Sequence, residues 1–116
     1  MMKPMISVII PVHNGGAAFD RCLTALKKTL YESWECIVVE DGSTDDSVEI
    51  AYRHGTRLLT GLTRRLGPAQ ARNIGAQVAR GNILFFVDAD VLVQPGTVGH
   101  VAATMQAHPN LAGCFG

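Results

Sequence analysis

The stretch "MISVIIPVHNGGAAFDRCLTALKKTLYESWECIVVED", residues 5–41, decides the fold because its hydrophobic pattern changes period twice. Its first part, residues 5–12, is a short apolar run rich in β-branched side chains, which is typical of a buried strand. The segment that follows carries apolar side chains at the spacing of one helical face: Phe19, Cys22, Leu23, Leu26 and Leu30. Residues 35–41, "ECIVVED", return to the strand pattern. A strand–helix–strand unit of this kind favours parallel strands.

The same alternation continues along the rest of the chain. Helices are expected at residues 44–55, 68–81 and 95–108, and strands at residues 57–60, 82–88 and 111–116. Ser43 or Thr44 is the expected cap of the first of these helices, and Pro68 stands where a first helical turn tolerates proline. The sequence therefore predicts one α/β domain over residues 1–116, with a mainly parallel sheet and helices on both faces.

Composition limits the class of protein. The chain has 116 residues, of which 47% are hydrophobic and 17% charged, a balance that fits a globular domain and excludes disorder. Ten basic residues balance ten acidic ones, so no net charge attracts nucleic acid, and we expect no nucleic-acid partner. Arg64–Arg65 is a dense basic spot, which we interpret as part of a solvated loop.

Cysteine spacing and apolar run length bear on the cellular setting. Cys22, Cys36 and Cys114 are odd in number and lack C-x-x-C spacing, which favours a reduced, cytoplasmic setting over a disulfide framework or a zinc site. No run approaches the roughly 20 apolar residues that cross a bilayer. We expect a soluble cytoplasmic chain, although a longer parent protein could lie at the cytoplasmic face of a membrane.

Polar segments follow three of the expected strands: "PVHN" (11–14), "EDGSTDD" (40–46) and "DAD" (88–90). In parallel α/β sheets, ligands bind outside the carboxyl ends of the strands. Because these segments lie at those ends, we expect them to converge on one edge of the sheet.

Asp88 and Asp90 are the strongest sign of a metal site. They are one residue apart, so in extended backbone both side chains point the same way and repel unless a cation lies between them. Hard oxygen ligands favour Mg²⁺ or Mn²⁺. The alternative is that Asp88 ends the strand and Asp90 begins a turn before Pro95. The other polar segments at the same edge favour the metal.

Three further residues are ambiguous. Asp41 can belong to the turn before the next helix, or its carboxylate can accept a hydrogen bond from a nucleoside base or ribose. Arg72, expected in the first turn of its helix, can be solvated or can pair with a diphosphate. His13 precedes Asn14-Gly15 and can simply help to turn the chain.

Four segments together resemble family-2 glycosyltransferases of the GT-A fold. They are "SVIIPVHN", "CIVVEDGSTDDS", "GPAQARNIGAQVARG" and "ILFFVDADVLVQPGTV", in the order and spacing seen in that family, over about residues 5–100. The resemblance implies the Rossmann-like half of a nucleotide-diphospho-sugar transferase fold. It also implies inverting transfer of a sugar from a nucleotide-diphosphate donor, commonly a UDP-sugar, to an acceptor that the sequence does not identify.

The resemblance also assigns roles to individual residues. It implies nucleotide binding by Pro11, Val12, His13, Asp41, Arg72, Asp88 and Ala89. Asp90, with Asp88, is implied as a ligand of Mn²⁺ or Mg²⁺ that reaches the diphosphate. The chain departs from the family in having His13 where tyrosine is common and Glu40 where a first aspartate is common.

The family's general base lies in its C-terminal half, so we expect the base beyond Gly116 and little turnover by this chain alone. A non-catalytic module that binds nucleotide sugars or another protein is the alternative. We also expect copies of the chain to associate through an exposed sheet edge, at the "ILFFV" strand. A phosphoacceptor receiver would need acids after the first strand, and a dinucleotide dehydrogenase would need G-x-G-x-x-G there. The chain has neither.

Overall fold

A computed structural model describes residues 3–61 and 64–108 with their side chains, and the backbone of residues 114–115. The described strands are β1 (Ile6–Val12), β2 (Trp34–Glu40), β3 (Arg57–Leu59), β4 (Ile83–Phe86) and β5 (Cys114–Phe115). The described helices are α1 (Gly16–Leu26), α2 (Ser47–Arg53), α3 (Pro68–Val78) and α4 (Thr97–Ala107). The strands form one parallel sheet in the order β3-β2-β1-β4-β5, so the predicted parallel sheet is confirmed.

Strand β1 lies at the centre of the sheet, and its side chains alternate between two cores. Val8 and Ile10 pack with α1, α2 and α4 on one face, whereas Ile9 packs with α3 on the other. Helix α3 lies very close to the sheet, because a Cβ atom on Gly75 would come within 2.5 Å of Ile9 Cγ2. Helices therefore cover both faces, as the sequence predicts.

The register of the sheet brings the carboxyl ends of β1, β2 and β4 to one edge. Val12 pairs with Glu40 of β2, and Ile9 pairs with Phe86 of β4. Pairing continues past the end of β2, where the Asp41 amide donates to the Val12 carbonyl at 2.8 Å. The segments that follow these three strands therefore start side by side.

Helix α1 is shorter than predicted. It ends at Leu26, and a turn follows in which the Thr29 amide donates to the Leu26 carbonyl at 3.0 Å. Leu30 is 78% exposed, so its assignment to the apolar face of this helix is wrong. Its amide instead donates to the Pro95 carbonyl at 3.0 Å, which ties this turn to the segment before α4.

Helix α2 begins later than predicted. It starts at Ser47, with Asp46 at the N-cap position, so neither Ser43 nor Thr44 caps it. Both residues are instead bonded to Asn14 across the edge of the sheet, which holds residues 43–46 outside the helix. Helix α3 begins at Pro68 as predicted.

Strand β4 has a neighbour on each side. Phe85 and Phe86 pair with β5, so the expectation that this strand would lack a partner is wrong. Association of copies of the chain stays a prediction. Within residues 3–61 and 64–108, no helix has the length and apolar character needed to cross a bilayer.

Candidate functional site at the carboxyl ends of the strands

A cavity of about 380 Å³ opens at the edge where β1, β2 and β4 end. It is lined by Pro11, Val12, His13, Asp41, Arg65, Pro68, Arg72, Asp88 and Ala89. All seven residues that the sequence implied for nucleotide binding lie around it, whereas Asp90 is not part of its lining. We call the side at Asp41 the β2 end of the cavity and the side at Asp88 the β4 end.

Asp41 is buried at the β2 end, with 2% of its surface exposed. Its two carboxylate oxygens accept hydrogen bonds from the amides of Leu66, at 2.7 Å, and Gly67, at 2.9 Å. Its own amide is bonded to Val12, as described above. This carboxylate therefore fixes the loop before α3 to the ends of β1 and β2.

The geometry around His13 identifies its tautomer. His13 Nδ1 lies 2.9 Å from the Asp41 carbonyl oxygen, which can only accept, so Nδ1 carries the proton. Nε2 is then free to accept from the Asn14 side-chain amide, at 3.4 Å. The imidazole ring is thus held in one orientation at the cavity wall.

Asn14 joins the loop after β1 to the loop after β2. Its side-chain oxygen accepts from the Thr44 amide at 2.7 Å and from the Asp45 amide at 3.3 Å. Its own amide donates to the Ser43 hydroxyl at 2.9 Å, and its φ of 52° is one that asparagine tolerates better than most residues. The sequence marks Asn14 as a turn former, but its partners lie about 30 residues away and cannot be read from local pattern.

Asp45 provides a second connection between the same two loops. Its carboxylate accepts from the Ser47 hydroxyl at 2.6 Å, the Ser47 amide at 3.0 Å and the Gly16 amide at 3.0 Å. The hydrogen bond from the Ser47 hydroxyl is the main reason that the pKa of Asp45 lies below its usual value. Burial opposes this, and the two amides add to it.

Glu40 stabilises the loop after β2 and does not line the cavity. It is buried, and its carboxylate accepts from the Ser43 amide and, at 3.3 Å, from the Thr60 hydroxyl. An acid at this position therefore helps to shape the loop after β2.

The β4 end is built differently. Strand β4 ends at Phe86, and the Val91 amide donates to the Asp88 carbonyl at 3.1 Å, which closes a turn over residues 88–91. The prediction that Asp88 and Asp90 lie in extended backbone with parallel side chains is therefore wrong. Both residues are exposed.

Arg72 pairs with Asp88 at this end. Its Nη2 atom donates to Asp88 Oδ1 at 3.2 Å, and the two side chains are 35% and 61% exposed. Arg72 is the fifth residue of α3, one position beyond the first turn in which the sequence placed it. Its Nε atom is buried and has no hydrogen-bond partner within the described part of the chain.

Cys22 lies beneath the turn of residues 88–91. Its thiol donates a weak hydrogen bond to the Asp88 carbonyl, with 3.8 Å between Sγ and oxygen. Burial raises the pKa of Cys22 to about 11, and the charge of Asp90 adds to the effect. The thiol therefore stays protonated at neutral pH and supports the turn through packing.

The donor groups of Asp88 and Asp90 suit a magnesium or manganese ion only in part. Among residues 3–61 and 64–108, no group of three or more His, Cys, Asp or Glu side chains could hold a metal. Two exposed carboxylates supply hard oxygen ligands, and Mg²⁺ usually completes its shell with water and substrate phosphate oxygens. The donor set therefore fits an ion that is held jointly with a phosphate-bearing ligand.

Sequence reasoning missed Arg65. The sequence predicts a solvated loop here, and Arg65 is exposed, but the structure places it in the cavity wall beside Pro68. Its backbone packs against Gly42, where an added Cβ atom would lie 3.2 Å from Arg65 N. No local pattern predicts where Arg65 lies, because its position depends on the hydrogen bonds that the two amides after it donate to Asp41.

A larger cavity of about 680 Å³ lies near Trp34 and Arg57. These residues begin β2 and β3, so this cavity is at the amino ends of the strands. Parallel α/β sheets bind their ligands at the opposite edge. The smaller cavity, which also gathers the charged side chains of three loops, is therefore the candidate site.

Comparison with known proteins gives a consistent family. The family model described as glycosyl transferase family 2 matches residues 7–115. An uncharacterized glycosyltransferase of Escherichia coli is 41% identical over 112 residues, which cover 91% of this chain and 31% of that protein. The chain spans about a third of the length of the first curated relatives it matches.

Solved structures are also similar in fold. S. aureus TarS (residues 1–349), in complex with UDP-GlcNAc, superposes with a TM-score of 0.80 at 31% identity, over 90% of this chain and 32% of that chain. The mannosyltransferase PcManGT from Pyrobaculum calidifontis, in complex with GDP-Man and Mn²⁺, has a TM-score of 0.82 at 25% identity, over 90% and 33%.

Proposed function

This chain belongs to glycosyl transferase family 2, and from that premise we propose that its cavity binds the nucleoside diphosphate of a UDP-linked sugar donor. The observation that carries the proposal is the lining of the cavity. Residues from four distant segments, all implied by the sequence, meet around one space of about 380 Å³. The UDP-GlcNAc complex of the similar TarS structure supports the choice of ligand class.

The two ends of the cavity suggest how the ligand is oriented. The β2 end is formed by Pro11, Val12 and the fixed ring of His13, which suits a planar nucleoside base. The β4 end carries Arg72, whose buried Nε has no hydrogen-bond partner among the residues that the structure describes, and a guanidinium is well matched to phosphate oxygens. We therefore place the base at the β2 end and the diphosphate at the β4 end.

A divalent cation is part of the proposal. Asp90, with Asp88, would hold Mn²⁺ or Mg²⁺ together with the diphosphate oxygens, and the Mn²⁺ complex of PcManGT supports this. When bound, the ion would stabilise negative charge that develops on the departing diphosphate. Asp88 would then exchange its contact with Arg72 for one with the ion, since the present pair is exposed and weak.

The catalytic base for inverting transfer is proposed to come from outside the described residues. Such a base must lie within hydrogen-bond reach of the acceptor hydroxyl. At this site Asp41 is bonded to two amides and Asp88 to Arg72, while Asp90 is assigned to the cation. We accordingly expect that these 116 residues bind the donor and release little sugar.

Calorimetric titration with UDP tests the proposal. With Mn²⁺ present, UDP should bind with measurable heat, and chelation with EDTA should weaken binding by about tenfold or more, since the ion bridges two charged groups. Asp90→Asn should abolish the difference between the two conditions. Asp46→Asn, at an exposed position outside the cavity lining, is the matched control and should behave as the parent chain does.

Each result has a distinct meaning. Equal UDP affinity with and without EDTA would contradict the metal assignment while leaving the nucleotide site in place. No heat with any nucleoside diphosphate, in a sample whose circular dichroism shows a folded chain, would contradict the donor site itself.

A further inference from the structure

We infer that the larger cavity, of about 680 Å³ at the amino ends of the strands, is a second binding site, for a small organic anion that carries an apolar group. The proposed nucleotide site lies at the other edge of the sheet, so this cavity has no assigned role. Its volume is in the range of cavities that enclose small molecules in proteins. Among the described residues the two cavities share no lining residue, so the inference does not depend on the proposed nucleotide site.

Part of the cavity lining is apolar. Leu23 and Leu26 of α1 belong to the buried core, and Trp34, at the start of β2, is partly buried and packs against the same core. All three side chains line the cavity. An indole ring beside two leucines gives the apolar part of a ligand a surface to pack against, and water is released when it does so.

The charges that line the cavity are mainly positive. Lys27, Arg57 and Arg80 are the basic residues of the lining, and Glu35 is its carboxylate. Glu35 is already bonded within the protein, because one of its oxygens accepts from the Ser7 hydroxyl at 2.6 Å and from the Arg80 amide at 2.7 Å. One carboxylate does not balance three cations, so the lining has an excess of positive charge that favours an anion.

Lys27 and Arg80 are the cations that remain for a ligand. Arg57 donates to the Val78 carbonyl at 2.6 Å and lies 3.5 Å from Glu35. The ammonium group of Lys27 has no hydrogen bond or ion pair with any residue that the structure describes, and the guanidinium of Arg80 has no hydrogen bond there. Both residues are exposed, so their side chains can turn toward a carboxylate, sulfonate or phosphate group.

His54 adds a buried polar group to the lining. Its side chain is 10% exposed, and its Nε2 atom lies 2.6 Å from Asp20 Oδ1, so Nε2 carries a proton and donates it. Nδ1 is buried and has no hydrogen-bond partner among the described residues. A buried polar atom without a partner is unfavourable. A polar atom of a ligand bound beside this ring would supply the partner.

The tryptophan in the lining makes the cavity accessible to fluorescence. Trp34 is the only tryptophan of the 116 residues. The probes are the dye anilinonaphthalene sulfonate and its uncharged counterpart anilinonaphthalene, which have the same aromatic rings and differ by the sulfonate. Either dye, bound in the cavity, accepts excitation energy from Trp34. Titration of the Trp34 emission therefore measures the affinity of each dye at this place.

In the parent chain the sulfonate dye should quench Trp34 and bind about five times more tightly than the uncharged dye, although the uncharged dye is more hydrophobic. Lys27→Gln and Arg80→Gln should each weaken the sulfonate dye by about two- to threefold and leave the uncharged dye unchanged. Lys28→Gln is the matched control, because Lys28 is exposed, adjacent in sequence and outside the lining. UDP with Mn²⁺ should displace neither dye.

Three outcomes would overturn the inference. If both dyes bind equally well to a chain whose circular dichroism shows that it is folded, the cavity does not select an anion. If Lys28→Gln weakens the sulfonate dye as much as Lys27→Gln does, the dye responds to surface charge in general. If neither dye quenches Trp34, or if UDP displaces them, the dyes bind elsewhere. Failure of UDP to bind, by contrast, contradicts the proposed nucleotide site alone.

Discussion

Each end of the cavity carries an aspartate, but the two carboxylates are bonded in different ways. At the β2 end, the buried carboxylate of Asp41 is bonded to two amides, and the imidazole of His13 is fixed by the Asp41 carbonyl. At the β4 end, Asp88 has a single exposed ion pair with Arg72, and Asp90 lies exposed in a turn. The polar groups of the β2 end are hydrogen-bonded within the protein, whereas the charged groups of the β4 end are exposed and can bind a ligand or a cation.

Because of this difference, we expect the β2 end to contribute mainly to stability and the β4 end mainly to ligand binding. A buried carboxylate that satisfies backbone amides is costly to remove, because the amides are left without partners. An exposed ion pair contributes little to stability, since water solvates both groups. Mutations at the β2 end should therefore unfold the chain more easily, and mutations at the β4 end should affect ligands with little effect on folding.

The largest effect on stability is expected from Asp41→Ala. The change removes two charge-assisted hydrogen bonds to the loop before α3 and should lower the free energy of unfolding by about 3 kcal/mol. Urea denaturation is the measurement. Asp46→Ala is the control, because Asp46 makes no side-chain cap bond, and it should cost less than about 1 kcal/mol. Equal losses in the two variants would mean that the Asp41 bonds do not hold this end.

A smaller loss is expected from Gly42→Ala. Its φ of 73° is left-handed, and the added methyl would lie 3.2 Å from Arg65 N, so the change should cost about 1–2 kcal/mol. The same substitution at Gly99 is the control. That position lies within α4, where an added Cβ meets only ordinary contacts at 3.7 Å, so Gly99→Ala should stabilise by about 0.5–1 kcal/mol. The same sign at both positions would contradict this description of the loop.

Acid should weaken the β2 end through Asp45. Its pKa is lower in the folded chain than in the unfolded chain, so its contribution to stability is present above the unfolded value and is lost as the pH falls through the folded one. Asp45→Asn should therefore make the unfolding free energy fall less between about pH 6 and about pH 3. An unchanged slope in Asp45→Asn would show that this carboxylate is not responsible.

The smallest change in stability is expected from Asp88→Asn. Loss of the exposed pair with Arg72 should change the unfolding free energy by less than about 0.5 kcal/mol. UDP binding in Mn²⁺ should nevertheless weaken by about tenfold, because the proposed cation loses a charged ligand. Thermal denaturation and calorimetry on one preparation measure both. A large loss of stability would mean that Asp88 holds the fold as Asp41 does, and the contrast between the two ends would disappear.

The sequence was informative where local pattern determines structure. Short apolar runs that alternate with helical periodicity predict the parallel sheet, and Pro68 correctly marks the start of α3. The rule that ligands bind at carboxyl strand ends correctly predicts that the segments after β1, β2 and β4 meet. Such features depend on neighbours in sequence and on general rules of topology.

Features that depend on distant partners could not be predicted in this way. Leu30 fits the apolar face of α1, but the turn after Leu26 exposes it. Thr44 fits a helix cap, but bonds to Asn14 hold it outside the helix. Arg65 lines the cavity only because the next two amides along the chain, of Leu66 and Gly67, donate to the Asp41 carboxylate. In each case a contact over a long sequence separation outweighs the local preference.

Amide hydrogen exchange, followed by NMR, tests the contrast between the two ends most directly. In the free chain the amides of Leu66 and Gly67, which donate to Asp41, should exchange slowly, and those of Ala89 and Asp90, in the turn at the β4 end, should exchange fast. Adding UDP with Mn²⁺ should slow exchange at Ala89 and Asp90 and leave Leu66 and Gly67 nearly unchanged. If the Leu66 and Gly67 amides exchange as fast as those of Ala89 and Asp90 in the free chain, the β2 end is not preformed and the contrast between the two ends does not exist.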